Sequence, residues 1–256
     1  MPGDDGTRLS IVIPALNEEY RLPRTLTRLY AYLRAQPYAW EIIVVSNGST
    51  DGTADAVRTA AATMPNLRLI EIAERGKGLA VRTGVHEAGG EVLFICDADL
   101  SMPPETLAEF LAGADRADVV VGSREAPGAA RYNEPRYRHF MGRVFNRLVA
   151  VVAVSGIKDT QCGFKAFRRQ AARHLFAQQV VHGWGFDVEL LYLARKFDYT
   201  VEEIGIEWHF DADSRVRPGV DTLSMVSEVL LIRMRDLLGR YRPAHSPAPS
   251  GGDIVR

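Results

Sequence analysis

The sequence predicts an α/β fold built on a mostly parallel central sheet flanked by helices. Short β-branched runs alternate four times with longer helical patterns within about the first 100 residues, the rhythm of strands joined by crossover helices. The chain has 256 residues with 46% hydrophobic content, enough to bury a substantial core in one domain. Its chemically suggestive segments recur just after the strand-like runs, where open α/β sheets gather their ligands.

Each element has its own signal. "RLSIVIPAL" reads as a buried strand, and "RLPRTLTRLYAYLRAQ" follows with Leu22, Leu26, Leu29 and Leu33 at helical spacing. "WEIIVVSNGS" is a second strand, "DGTADAVRTAAATM" a helix, "LRLIEIA" a strand and "GKGLAVRTGVHEA" a helix. "EVLFICDAD" reads as a fourth strand running into its aspartates, and "ADVVVGSR" as a fifth. "EAPGAARYNEPRY", Glu125 to Tyr137, is turn-rich and basic and is expected to be a mobile loop. "RHFMGRVFNRLVAVVAVSG" follows as a helix, "DTQCGFKAFRR" as a short strand between loops, and "GFDVELLYLARKF" as a helix. "TVEEIGIEWHF" is expected to form one strand and "DTLSMVSEVLLIRMRDLLGRY" a long amphipathic helix. The tail, residues 243–256, is rich in Pro, Ser and Gly and is expected to be disordered.

Composition excludes several classes. The formal charge is −1, from 31 basic and 32 acidic side chains, so no global field draws this chain to nucleic acid. Cys96 and Cys162 lack CxxC spacing and nearby paired histidines, and are expected to be reduced rather than bridged or zinc-bound. The opening "MPGDDGTRLS" is too polar and acidic for a targeting peptide, and no run of about 18 apolar residues predicts a spanning helix.

The segments after the strands carry the chemistry. "PALNEE", "SNGSTDGT", "ERGKG", "DADLS" and "GSR" follow five successive strands and are expected to converge on one cleft. Asp97 and Asp99 are two apart, so on an extended chain they point the same way and together can hold Mg²⁺ or Mn²⁺. Such ions keep positions open for phosphate oxygens, which makes a metal-bound diphosphate the natural ligand. The plainer reading is that the pair only ends a strand, with Asp99 capping a turn. "RGKG" precedes a helix, where free N–H groups suit anions, and Lys77 and Arg75 can add charge there. Arg124, Arg138, Arg215 and Arg217 can form a cationic pocket for a phosphate, since guanidinium groups grip its oxygens in pairs. Asp51 in "STDGT" can be an ordinary helix cap.

"SIVIPALNEE", "VVSNGSTDGT", "RGKGLAVRTG", "CDADLSMPPE", "VVGSR" and "DTQCGFKAFRR", in this order, resemble glycosyltransferase family 2 over roughly residues 8 to 240. "DADLSMPPE", "DTQCGFK" and "WGFDVELL" most resemble its dolichyl-phosphate β-glucosyltransferases, with the mannose synthases as near relatives. The resemblance implies a GT-A, nucleotide-diphospho-sugar transferase fold and an inverting, metal-assisted transfer. It implies one domain over residues 1–242, with 8–124 as the nucleotide-sugar-binding half and 125–242 as the acceptor-binding half. Pro14 and Ala15 would shape an edge against the base, and Glu18 would accept a ribose hydroxyl. Ser46 and Asn47 stand where two aspartates are common, so the base contact, with Asn47 and Asp51 near it, departs from the family pattern. Asp97 would lie near the ribose and Asp99 on the metal, with the Ala98 backbone between.

On the acceptor side, Asp159 matches a position near the reacting centre and, with Asp99 and Arg124, is a catalytic candidate. Trp184, Asp187 and Glu189 would line the sugar or acceptor pocket. The implied donor is UDP-glucose, with a GDP-sugar as the rival, and the implied acceptor is a polyprenyl or dolichyl phosphate, with a soluble acceptor or binding without catalysis as further alternatives. The lipid makes peripheral contact at the cytoplasmic face of a membrane an expectation. Phe140, Met141, Val144, Phe145 and Leu148, mixed with Arg138, Arg143 and Arg147, would supply an interfacial helix, or a homodimer face. In the last helix, Leu223, Val226, Leu230, Leu237 and Tyr241 form a stripe expected to pack into the core.

Overall fold

The protein is described by a computed structural model over residues 6–211 and 220–242, without the side chains of Arg138 and of residues 220–223. Arg215, Arg217 and the tail 243–256 lie outside the described residues.

The strands β1 (Leu9–Ala15), β2 (Trp40–Asn47), β3 (Leu67–Ile72), β4 (Val92–Ile95), β5 (Val119–Ser123), β7 (Lys165–Arg168) and β8 (Val201–Gly205) form one sheet in the order β3-β2-β1-β4-β7-β5-β8. All neighbours run parallel except β7, which is antiparallel to both β4 and β5. Alternation along β1 divides the core. Leu9, Ile11 and Ile13 face one side, packing with Leu22, Leu26, Leu29 and Leu33 of α1 (Leu22–Leu33), Val57 of α2 (Thr53–Ala61) and Phe110 of α4 (Leu107–Ala114). Val12 faces the other, with Ala80 and Val81 of α3 (Lys77–Glu87), Leu175 and Phe176 of α6 (Arg169–Gln178) and Leu190 and Leu191 of α7 (Phe186–Lys196). Burial on both faces is why these strands read as continuous apolar runs.

The two expected halves interleave: β7, from the second half, lies between β4 and β5 of the first. The fourth strand stops at Ile95, and Asp97–Leu100 is a turn in which the Leu100 N–H donates to the Asp97 carbonyl at 3.1 Å. The aspartates therefore do not lie on an extended chain; it is the turn that aims them. Nor is the segment 125–137 only a loop. It contains β6 (Ala130–Tyr132), which pairs in parallel with β9 (Glu207–His209), and Arg131 is held by Glu125 at 2.5 Å and Glu134 at 2.6 Å. "TVEEIGIEWHF" is thus two strands, one in each sheet.

Two helices close the molecule, α5 (Arg136–Val152) and α8 (Val220–Leu237), and they pack on each other. Of the stripe expected in the core, only part is turned inward. Met225, Val229 and Ile232 are buried, whereas Leu230 is exposed and Leu237 is 80% exposed. Of that stripe Val226 is half-buried against the core, Tyr241 is buried, and the Leu223 side chain is outside the described set.

Candidate functional site

The ends of β1, β2 and β4 and the start of α3 enclose a cleft of about 360 Å³ lined by Pro14, Leu16, Glu18, Arg21, Asn47, Arg75, Gly76, Lys77, Asp97, Ala98, Asp99, Gly183 and Trp184. A second cavity of about 770 Å³, reached past Arg21 and Asp99, is lined by Arg24 and Arg28 of α1, by Leu100 to Pro103, and by His209 to Asp211. Asp99 therefore stands in the wall common to both.

A chain of alternating charge runs inward from this wall. The Lys77 ammonium lies 2.6 Å from Asp97 Oδ1 and 5.2 Å from the centroid of the Trp184 ring. Burial pulls the Lys77 pKa down, but the carboxylates of Asp97, Asp187 and Asp99 overcome it and hold the lysine charged. Asp187 is buried and paired at 2.6 Å with Lys165, itself fully buried. Burial, and after it the neighbouring Asp97 charge, push the Asp99 carboxyl above its ordinary range; a bond at 3.2 Å from the Ser101 N–H opposes this. Three carboxylates, Asp97, Asp99 and Asp187, thus meet two ammonium groups, Lys77 and Lys165. Glu18 and Asp97 are paired with Arg21 and Lys77, so Asp99 is the cleft carboxylate without an ion pair among the described residues, and a hard cation bound by oxygen donors would supply one. Asp97 and Asp99 are the carboxylates of this set that reach the cleft and would hold it.

The loop chemistry is legible around them. Gly76 has φ 152°, and a Cβ there would lie 2.6 Å from the His182 carbonyl, so the turn into α3 needs glycine. A Cβ on Gly163 would overlap the Asp97 carboxylate, so Gly163 makes the space in which that carboxylate sits. Asn47, with its amide oriented to satisfy both ends, donates to the Ala15 carbonyl at 2.8 Å and accepts from the Gly76 N–H at 3.1 Å. Its amide ties two loops together, using one of its two N–H groups and one lone pair of its oxygen. Ala15 is buried behind it.

Several expected site residues are engaged elsewhere. Glu18 lines the cleft, but Arg21 takes both its oxygens, at 2.6 and 2.7 Å. Asp51 is absent from the lining; it accepts the Thr53 N–H at 3.0 Å and the Glu19 N–H at 3.3 Å, fixing the turn into α2. Arg124 does not head an open phosphate pocket. It grips Asp159 with Nε at 2.7 Å, Nη2 at 2.8 Å and its backbone N–H at 3.0 Å, and its guanidinium lies over Trp208. Asp159 is fully buried. Burial alone would raise its carboxyl, but Arg124 outweighs it and holds the pKa at about 2, the wrong range and the wrong place for a general base. Glu189 does not line the pocket either: buried inside α7, it accepts the N–H groups of Val180 and Val181 and the Tyr241 hydroxyl. Arg138 stands in the first turn of α5, its side chain outside the described set.

Lys165 and Gly163 had no role in the sequence reading. A signal for Lys165 was present, because a lysine amid "GFKAF" on a buried strand must have an acidic partner. Gly163 had none, since its role is the shape of a neighbour. Cys96 and Cys162 are free and buried, and burial pushes the Cys162 thiol up to about 12.

Comparison with known proteins shows the family and the fold. Residues 10–176 match the family "Glycosyl transferase family 2". A dolichyl-phosphate beta-glucosyltransferase of Trichomonas vaginalis is 38% identical over 81% of this chain and 66% of its own length. Enzymes of the same name from Drosophila melanogaster and Homo sapiens are 37% and 34% identical, each over 92% of this chain and over 77% and 78% of their own lengths. The chain therefore spans between two thirds and four fifths of these relatives. Among solved structures, glucosyl-3-phosphoglycerate synthase from Mycobacterium tuberculosis, in complex with Mn²⁺, UDP and glucosyl-3-phosphoglycerate, superposes with a TM-score of 0.66 at 19% identity, over 94% of this chain and 82% of that one. It shares the fold: a mostly parallel sheet between helices, of the GT-A type. A family match across most of the chain, with relatives above 30% identity beyond it, makes this protein a glycosyltransferase, a member of glycosyltransferase family 2.

Proposed function

We propose that this enzyme transfers glucose from UDP-glucose to a dolichyl or polyprenyl phosphate with inversion at the anomeric carbon. The observation that carries the reading is Asp99, which stands in the wall between two cavities without an ion pair among the described residues, beside the Asp97–Lys77 pair. The reaction named for the relatives supplies sugar and acceptor.

In this reading the nucleotide lies in the smaller cleft, along Pro14, Arg75 and the start of α3, where the Lys77 and Gly78 N–H groups suit phosphate oxygens while those of Gly76 and Leu79 are already bonded. Asp99, with Asp97 beside it, would hold Mg²⁺ or Mn²⁺. When bound, the ion supplies neutralisation of the charge that develops on the departing diphosphate. Lys77 adds a positive charge on the same side, and Asp97 keeps it in place. Trp184 closes the cleft over Lys77. The acceptor phosphate is already ionised at neutral pH, so one of its oxygens bonds to the anomeric carbon from the face opposite the diphosphate while the bond to UDP breaks. No proton has to be removed, which fits an Asp159 that is buried and consumed by Arg124.

A lipid acceptor has to be met at a membrane. No helix among the described residues is long and apolar enough to cross one. What the molecule offers instead is an outward apolar face on two adjoining helices: Phe140 (67% exposed), Met141, Val144, Leu148 and Val151 on α5, and Leu230, Met234 and Leu237 on α8, with Leu238 just after it. Exposed Arg136, Arg143 and Arg147 border it on α5. Aliphatic side chains with arginines at their margin suit the headgroup region of an anionic bilayer, and this face would rest on the cytoplasmic leaflet.

Calorimetry with UDP and with GDP, in the presence and absence of Mn²⁺, on wild type and Asp99→Ala, tests the donor assignment. UDP binding that requires both the ion and Asp99 is expected, followed by turnover of UDP-glucose on a lipid phosphate. Preference for GDP would move the donor to GDP-mannose, and binding indifferent to the ion would remove the metal from the site.

A further inference from the structure

The turn His182–Gly183–Trp184–Gly185 delivers Trp184 to the donor cleft, and what shapes this turn lies outside the cleft. Glu228 of α8 accepts the Gly185 N–H at 2.7 Å. The same carboxylate fills the space beside both glycines. A Cβ on Gly183 would overlap its Oε1, and one on Gly185 would lie 2.7 Å from its Oε2 and 3.0 Å from its Cβ. A carboxylate serving only to cap α7 needs the one N–H contact. Here it also fills the space on both sides of the tryptophan, so the path of the backbone through residue 184 is moulded on it.

The consequences reach the charged wall. The Trp184 ring stands 5.2 Å from the Lys77 ammonium, and the His182 carbonyl accepts the Leu79 N–H at 3.3 Å and excludes a side chain at Gly76. The start of the loop is fixed from α7 and from the residues just after α8. Glu189 takes the Val180 and Val181 N–H groups, and the Tyr241 hydroxyl donates to Glu189 at 2.8 Å.

We infer that Glu228 is a positioning residue for the donor: by moulding the Gly183–Gly185 turn it sets Trp184 over Lys77, and so sets affinity for the nucleotide sugar. The inference rests on the reading of this cleft as the nucleotide-sugar site.

The test measures UDP affinity by calorimetry with Mn²⁺, KM and kcat for UDP-glucose, and Tm, for wild type, Glu228→Ala, Glu228→Gln and Gly183→Ala. Loss of a charge-assisted hydrogen bond that orders the turn is expected to weaken UDP binding and raise KM in Glu228→Ala by about tenfold, with a much smaller change in kcat. Glu228→Gln keeps an oxygen for the Gly185 N–H and a similar bulk, and is expected to recover most of the affinity. Gly183→Ala, which displaces the carboxylate from the other side, should repeat the KM effect and serves where Glu228→Ala does not fold. A fall in Tm with unchanged UDP affinity in the folded variants would reduce Glu228 to a helix cap and overturn the inference. So would a Glu228→Gln variant as impaired as Glu228→Ala. If wild type itself binds no UDP, the reading of the cleft fails first, and that result is distinct from a wild type that binds and variants that do not differ.

Discussion

Asp159 is fully buried and Asp99 half-buried, and both stand near a basic side chain, yet burial ends differently for each. Around Asp159 three N–H donors of Arg124, two from the guanidinium and one from the backbone, take up the carboxylate oxygens, and the carboxyl is held down at about 2. Around Asp99 the cationic partner, Lys77, is paired at 2.6 Å with Asp97 instead; a backbone N–H is the bond formed, and the carboxyl is pushed up. The first is a completed ion pair, the second an incomplete one that faces two cavities. The type of residue does not separate a structural charge from a working one; what separates them is whether the fold has already satisfied it.

The largest effects should divide along that line. Asp99→Ala is expected to cost about a hundredfold or more in turnover, the scale seen when one electrostatic contact to a developing charge is removed. It should leave Tm unchanged or raise it without metal, since an unfavourable buried charge goes. Asp159→Ala should do the reverse. It leaves the Arg124 guanidinium half-buried without its partner, at roughly 3–5 kcal/mol of stability by denaturant unfolding. Asp159→Ala that folds normally yet loses turnover while still binding UDP would erase the distinction and return Asp159 to the reacting centre.

The pH dependence sharpens it, at a scale of roughly 2 kcal/mol for Asp159. Asp159 has a folded pKa of about 2 against an ordinary 3.8, so its stabilisation is full above the ordinary value and is lost as pH falls through 3.8 towards 2. Asp99 has the opposite sign. Its folded pKa is raised, so it opposes folding above that pKa, and the penalty disappears as pH falls towards 3.8. Unfolding of the metal-free protein between pH 2 and 7 should therefore show Asp99→Asn more stable than wild type near neutrality, the two converging in acid. A curve for Asp99→Asn parallel to wild type throughout would mean that Asp99 is satisfied after all.

Much of this arrangement could be read from the chain, and the gaps have physical causes. The strands were legible because both faces of the sheet are covered, so "SIVI", "IIVV" and "VVV" are unbroken apolar runs. The cleft residues Pro14, Lys77, Asp97, Ala98, Asp99 and Trp184 were legible because they follow strands or open helices at the carboxyl edge. The conformation of "DAD" was not, because a strand does not announce which residue begins the turn. Glu189 was misplaced because two residues along a helix turn by about 200°, so it cannot share a face with Asp187. The pairing of Arg124 with Asp159 was not legible because it spans 35 residues of sequence. α8 was misread because its inward stripe, Met225, Val229 and Ile232, is no more apolar than the outward one.

A smaller effect probes the open cluster by shape alone. Gly163→Ala changes no charge, but its Cβ would occupy the space of the Asp97 carboxylate and move it off Lys77. About a tenfold loss in UDP affinity is expected, with Tm altered by a few degrees at most. Unchanged binding would show that the Asp97–Lys77 contact is dispensable to the donor.

The smallest effects belong to the outward face of α5 and α8, where the same contrast between satisfied and unsatisfied groups concerns apolar surface. Phe145 and Val149 of α5 are already covered by the core, whereas Phe140 and Leu148 are not. A partner of the open side chains should therefore be detectable as a loss of binding with no loss of fold. Phe140→Asp or Leu237→Asp is expected to weaken co-sedimentation with anionic vesicles by roughly fivefold each, about 1 kcal/mol, while UDP affinity and Tm stay as in wild type. Phe145→Asp, made inside the packed face, should unfold the helix instead. If the outward variants bind vesicles as wild type does but shift the sedimentation coefficient from dimer to monomer, the face is covered by a second copy of this chain, and the lipid acceptor must be reached by another surface.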